Sequence, residues 1–179
     1  MRTTLATTAL LAITLSLPVS AAVADTIEGT AGDDVLTGTS GRDLINAYGG
    51  DDTVDGRQGR DVLRGRLGGD TLLGGRGGDV LFGGRGHDTL KGGNHADSLA
   101  GAGGEDLLIG GRGRDGLDGG PGEDVMRLGI GDDAAIFWDN DGERDVIRCG
   151  PGEDTVGYWG EPDPADELHG CEEIIDITH

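Results

Sequence analysis

The sequence predicts an all-β fold, a solenoid of very short strands, and three observations carry that prediction. Nine-residue blocks run without interruption from Gly29 to Ile136, twelve in all. The sixth position of every block is aspartate: Asp34, Asp43, Asp52, Asp61, Asp70, Asp79, Asp88, Asp97, Asp106, Asp115, Asp124 and Asp133. The eighth position is apolar in every block, from Leu36 and Ile45 to Met126 and Ala135. Side chains alternate across a strand, so a strand over positions seven to nine points only its middle residue inward. A fixed period of this kind marks stacked units that bury their apolar faces on one another.

In chain order, residues 1–24 read as a secretory signal peptide. Arg2 and the amino terminus form a short basic start, Leu5 to Leu17 is apolar, and Pro18 leads to the small-x-small stretch Ala22-Val23-Ala24. The apolar core is too short to span a bilayer, so cleavage near Ala24 and an extracellular destination are expected.

Residues 25–136 form the repeat domain. Glycine holds the first position in ten blocks (Ala47 and Leu128 differ) and the fourth in eleven (His95 differs). Glycine tolerates positive φ and lets the chain turn with carbonyl oxygens inward. Those carbonyls and the Asp oxygens are hard donors, which suit Ca2+ with its six to eight oxygen ligands better than magnesium or a transition metal. The histidines His87, His95, His169 and His179 lack zinc-like spacing and read as solvated loop residues.

Gly74-Gly75-Arg76-Gly77-Gly78-Asp79-Val80-Leu81-Phe82 and Gly83-Gly84-Arg85-Gly86-His87-Asp88-Thr89-Leu90-Lys91 are the clearest copies. They resemble the RTX, or haemolysin-type, calcium-binding nonapeptide, and the resemblance covers the whole run from Gly29 to Ile136. It implies a parallel β-roll with two repeats per coil. Asp34, Asp52, Asp70, Asp88, Asp106 and Asp124 would then line one edge and the other six ladder residues the opposite edge. An ion between each pair of stacked turns gives about ten calcium ions in all. Without them, a chain of net charge −20 with one inward apolar residue per block is expected to be an expanded coil, so binding and folding are one event. Unlike the best-known members, this chain pairs its repeats with an N-terminal leader and shows no toxin or enzyme domain.

Residues 137–179 read as degenerate repeats and a C-terminal cap. The phase slips so that Asp145 follows Asp133 by twelve residues, and Asp154 comes nine later; both extend the expected metal ladder. Phe137, Trp138, Tyr158 and Trp159 are suited to cover the last open coil. Asp139-Asn140-Asp141-Gly142 opens like an EF-hand loop, but Arg144 stands where glycine is required. Cys149 and Cys171 are the only cysteines, and in an exported chain a disulfide between them is expected.

The sequence argues against catalysis. After the leader only Ser40 and Ser98 remain as serines, both inside repeats, and neither a Gly-x-Ser-x-Gly elbow nor a His-Glu-x-x-His motif occurs. Strong negative charge disfavours nucleic acid as partner. The leading reading is a secreted calcium-binding β-roll with a structural or ion-buffering role. The alternative is a calcium-dependent adhesive or surface-recognition module that meets an extracellular polymer or cell surface, suggested by Thr53, Thr71 and Thr89 recurring at outward position seven; a polysaccharide-modifying enzyme stands third. Fifth-position charges differ between the edges: Asp33, Asp51, His87, Glu105 and Glu123 on one, Arg42, Arg60 and Arg114 among those on the other.

Overall fold

Apolar residues at the eighth position of every block meet in one internal column, and the chain winds around it. The computed structural model describes residues 24–137, 142–159 and 162–176. Nearly all of the leader, the Asp139 to Asp141 stretch, Trp138 and His179 lie outside them. Two parallel sheets face each other. A nine-stranded sheet stacks Thr26–Glu28, Leu44–Gly49, Val62–Leu67, Val80–Arg85, Ser98–Gly103, Gly116–Asp118, Ala134–Phe137, Thr155–Tyr158 and Glu173–Asp176. An eight-stranded sheet stacks Val35–Thr37, Thr53–Asp55, Thr71–Arg76, Thr89–Asn94, Leu107–Arg112, Val125–Ile130, Val146–Arg148 and Glu167–His169. Successive strands alternate between the sheets, so two blocks make one coil, as the resemblance implied.

The register is eighteen residues per coil. Leu63 pairs with Leu81 and Leu81 with Leu99 in one sheet, and Leu72, Leu90 and Leu108 follow one another in the other. These side chains are 0–2% exposed. Glycine or Ala47 at position one keeps the column narrow enough for the sheets to approach, and Leu128 at that position is itself fully buried.

The phase slip falls between the strands Ala134–Phe137 and Val146–Arg148, and across it partners are 21 residues apart: Met126 with Ile147 and Ala135 with Val156. Winding then continues, with Ile147 beside Leu168 and Val156 beside Ile174. The C-terminal segment is thus further coils of the same roll. Phe137 stacks on Tyr158 at 4.9 Å between ring centroids, and the Tyr158 hydroxyl donates to Asp166 Oδ2 (3.0 Å). Cys149 and Cys171 form the expected disulfide, with a Cα–Cα distance of 5.2 Å. Thr53, Thr71 and Thr89 are in register on the outside of the eight-stranded sheet. Among the described residues no helix is long and apolar enough to cross a membrane.

Candidate metal centre

Each ladder aspartate is the last residue of a turn and is pinned from both sides. Its carbonyl accepts from the first strand residue one coil later, as Asp52 does from Thr71 N–H (2.8 Å) and Asp61 from Val80 N–H (2.9 Å). From Asp43 onward its Oδ1 accepts from the backbone N–H of the aspartate one coil earlier. Asp52 N–H donates to Asp70, Asp61 to Asp79, Asp79 to Asp97 and Asp97 to Asp115, at 2.7–2.9 Å. On the edge of Asp52 the ladder runs on through Asp88, Asp106 and Asp124, and the slip leaves both edges intact: Asp124 donates to Asp145 and, on the edge of Asp61, Asp133 to Asp154. Two one-edged ladders result, with the residues the sequence assigned to each.

The second carboxylate oxygen is where the chemistry lies. Oδ2 of Asp52, Asp61, Asp70, Asp79, Asp88, Asp97, Asp106, Asp115, Asp133 and Asp154 is buried without a hydrogen-bond partner. Burial pushes these carboxyls up, to about 6 for Asp52, Asp61, Asp88 and Asp115 and to about 7 for Asp97. The N–H of the preceding rung pulls each down, and for these five the neighbouring rungs' charges push it up again. A buried carboxylate oxygen with nothing to accept costs far more than one paired with a cation.

Main-chain oxygens converge on the same point. A Cβ built on Gly74 would stand 2.7 Å from Asp79 Oδ2 and 2.7 Å from the carbonyl oxygen of Gly92, one coil on. The same cradle recurs at Gly56, between Asp61 Oδ2 and the Gly74 carbonyl, both at 2.9 Å. Residues at positions two and four of these turns have positive φ, including Gly75 and Gly77. Where Tyr48, Arg57, Arg66, Ala102 or His95 takes such a position, neighbouring coils hold it in a left-handed conformation that L side chains rarely adopt. Among the described residues no three His, Cys, Asp or Glu side chains cluster as a metal site. The donor set is one carboxylate per turn plus carbonyls, all hard oxygen, and it fits a calcium-like cation.

Three rungs escaped the sequence reading. Asp25 N–H donates to Asp43 Oδ1 (3.0 Å), Asp145 N–H to Asp166 Oδ1 (3.1 Å) and Asp154 N–H to Glu172 Oε2 (3.1 Å). Asp25 is nine residues before Asp34, so the phase could have found it. Asp166, 21 residues after Asp145, is off phase, and Glu172 stands the regular 18 residues after Asp154 but is not an aspartate. Asp34 and Asp43 differ from the other rungs at Oδ2, which the hydroxyls of Thr30 and Thr39 reach.

Fifth-position residues also bridge coils. Asp33 Oδ1 accepts from Asp51 N–H (2.9 Å), and Asp51 in turn from Gly69 N–H (2.8 Å). His87 Nδ1 accepts from Glu105 N–H (3.0 Å), so this exposed histidine is a turn residue. His169 lies 3.8 Å from Glu167.

A family model described as the RTX calcium-binding nonapeptide repeat (4 copies) matches residues 22–54, 37–72, 47–81, 73–108 and 101–134. No curated protein matches the chain.

Proposed function

The chain belongs to the RTX calcium-binding nonapeptide repeat family, and from that membership we propose that it is a secreted β-roll that folds on binding about ten calcium ions and acts as a structural or ion-buffering element. The observation that carries this is the column of buried carboxylate oxygens without hydrogen-bond partners, from Asp52 to Asp154. Each Oδ2, with the position-one carbonyls of stacked turns, would hold an ion; the ion supplies charge neutralisation and coordination that the column lacks. The residues of the chain do the rest: Oδ1 and the backbone lock each carboxylate in place, and the glycines keep side chains out of the cradle. Export is supported by the leader-like first 24 residues and by the Cys149–Cys171 disulfide. Extracellular calcium can fill sites in the 10⁻⁴–10⁻³ M range typical of extracellular modules.

Calcium titration of the metal-free chain, with bound ions counted by calorimetry, tests this. A stoichiometry near ten supports it, and one or two ions, or none, refutes shared sites. A second reading, an adhesive module, draws on the in-register Thr53, Thr71 and Thr89. Glycan and cell-surface binding panels with and without calcium separate the two.

A further inference from the structure

The ladder is not uniform, and the difference sits at one end. In the turns that carry Asp34 and Asp43, position two is threonine, whereas from Tyr48 onward it is never threonine. Thr30 donates its backbone N–H (2.6 Å) and its hydroxyl (2.9 Å) to Asp34 Oδ2. Thr39 does the same to Asp43 Oδ2, at 2.6 and 3.0 Å. The threonine oxygens also accept, from Gly32 N–H (3.2 Å) and Gly41 N–H (3.0 Å). Oδ2, the oxygen left unpartnered at Asp52 and Asp61, is here fully engaged.

The backbone draws the same line independently. Ten consecutive turns have positive φ at both position two and position four, from Tyr48 with Gly50 to Gly129 with Gly131, and Gly150 with Gly152 repeats it after the slip. Thr30, Gly32, Thr39 and Gly41 show no positive φ. Their turns follow another path, one closed by a threonine hydroxyl in place of two left-handed residues.

We infer that Thr30 and Thr39 seal the first two turns, so that Asp34 and Asp43 are hydrogen-bonded structural carboxylates, and that calcium sites begin only at Asp52 and Asp61. This rests on the calcium reading above. Two donors per Oδ2 supply what an ion would supply elsewhere, and they fill acceptor positions that stay open at Asp52 and Asp61. The N-terminal coil is then an ion-free cap for the roll, joined to the first calcium-bearing coil through Asp34 N–H to Asp52 Oδ1 and Asp43 N–H to Asp61 Oδ1, both 2.8 Å. Solenoids need terminal coils that do not demand a further neighbour, and threonine provides one at no cost in charge.

Native mass spectrometry of the full chain in saturating calcium, with circular dichroism to verify folding, decides the matter by counting ions. Asp34→Asn and Asp43→Asn are expected to hold as many ions as the wild type. Asp61→Asn and Asp79→Asn are expected to lose at least one, and Asp154→Asn, near the opposite end, does the same and separates sealing from mere terminal position. Thr39→Val should lower the thermal midpoint without changing the ion count, and Thr39→Ser should restore the midpoint. A lower count in Asp43→Asn, matching that in Asp61→Asn, overturns the sealed turns while leaving calcium binding intact. A wild-type chain that takes up no calcium overturns both.

Discussion

A buried carboxylate has two stable outcomes: it is paired with positive charge, or it takes up a proton. Burial raises the carboxyls whose Oδ2 was described above as buried and unpartnered, to about 7 at Asp97, while the unfolded value lies near 3.9. A raised folded value makes the protonated form the stabilising one. That contribution is present in full below about pH 4 and is lost as pH rises through about 6 to 7. The metal-free chain is therefore expected to gain β-structure on acidification across this window, and the calcium-loaded chain to release ions across it as protons compete for Oδ2. Circular dichroism and ion counting from pH 8 to pH 4 check both directions; a metal-free spectrum that ignores pH would contradict the burial of the rungs. The cradle makes a second prediction. Gly74→Ala puts a methyl 2.7 Å from Asp79 Oδ2 and from the Gly92 carbonyl, and should cost about 1–3 kcal/mol with a raised calcium midpoint. Gly116→Ala, with nothing within 4 Å of the added atom, should be neutral or stabilise by up to about 1 kcal/mol.

Strands of three to six residues cannot stand alone, and each depends on the coil above and below. The core offers one column of side chains, so a cavity in it has few neighbours able to collapse into it. Leu90→Ala, at a site with no exposure, is expected to cost about 2–5 kcal/mol in calcium, read as a lower thermal midpoint. Reducing Cys149–Cys171 should cost roughly 3 kcal/mol and act on the last coils, because the bond ties Cys149 after the strand Val146–Arg148 to Cys171 before the strand Glu173–Asp176. Hydrogen exchange in calcium, with and without reductant, would show faster exchange confined to residues after about 146; uniform loosening would argue against a local role.

Much at this scale was legible in the sequence. A strict period of nine marked the inward leucines and the start of each strand, though many strands run on into the next block, as Val62–Leu67 does, and the family resemblance, with two blocks per coil, assigned the edge on which each aspartate falls. The slip after Asp133 was visible as a spacing of twelve, and the structure turns it into a register of 21. Legibility failed where the period did. Asp166 takes the next rung 21 residues after Asp145, where no phase marks it, and Glu172 keeps the phase of Asp154 but fills the rung with a longer side chain in place of aspartate. Nothing in the period singles out Thr30 and Thr39, because their effect depends on a hydroxyl reaching an oxygen four residues away.

At the scale of the molecule, the chain carries 34 acidic against 14 basic side chains, with acidic carboxylates stacked coil upon coil. Such a column resists folding above neutral pH, and divalent ions reverse the sign of the problem: repulsion becomes shared coordination. If neighbouring coils share each ion, as proposed, filling one site would order half of the next, and the transition should be steep. Calcium titration of the metal-free chain at pH 8, followed by far-UV circular dichroism, tests this most directly. The account predicts a coil spectrum without calcium and a cooperative change to β-structure as calcium reaches millimolar levels. Identical spectra with and without calcium would contradict it.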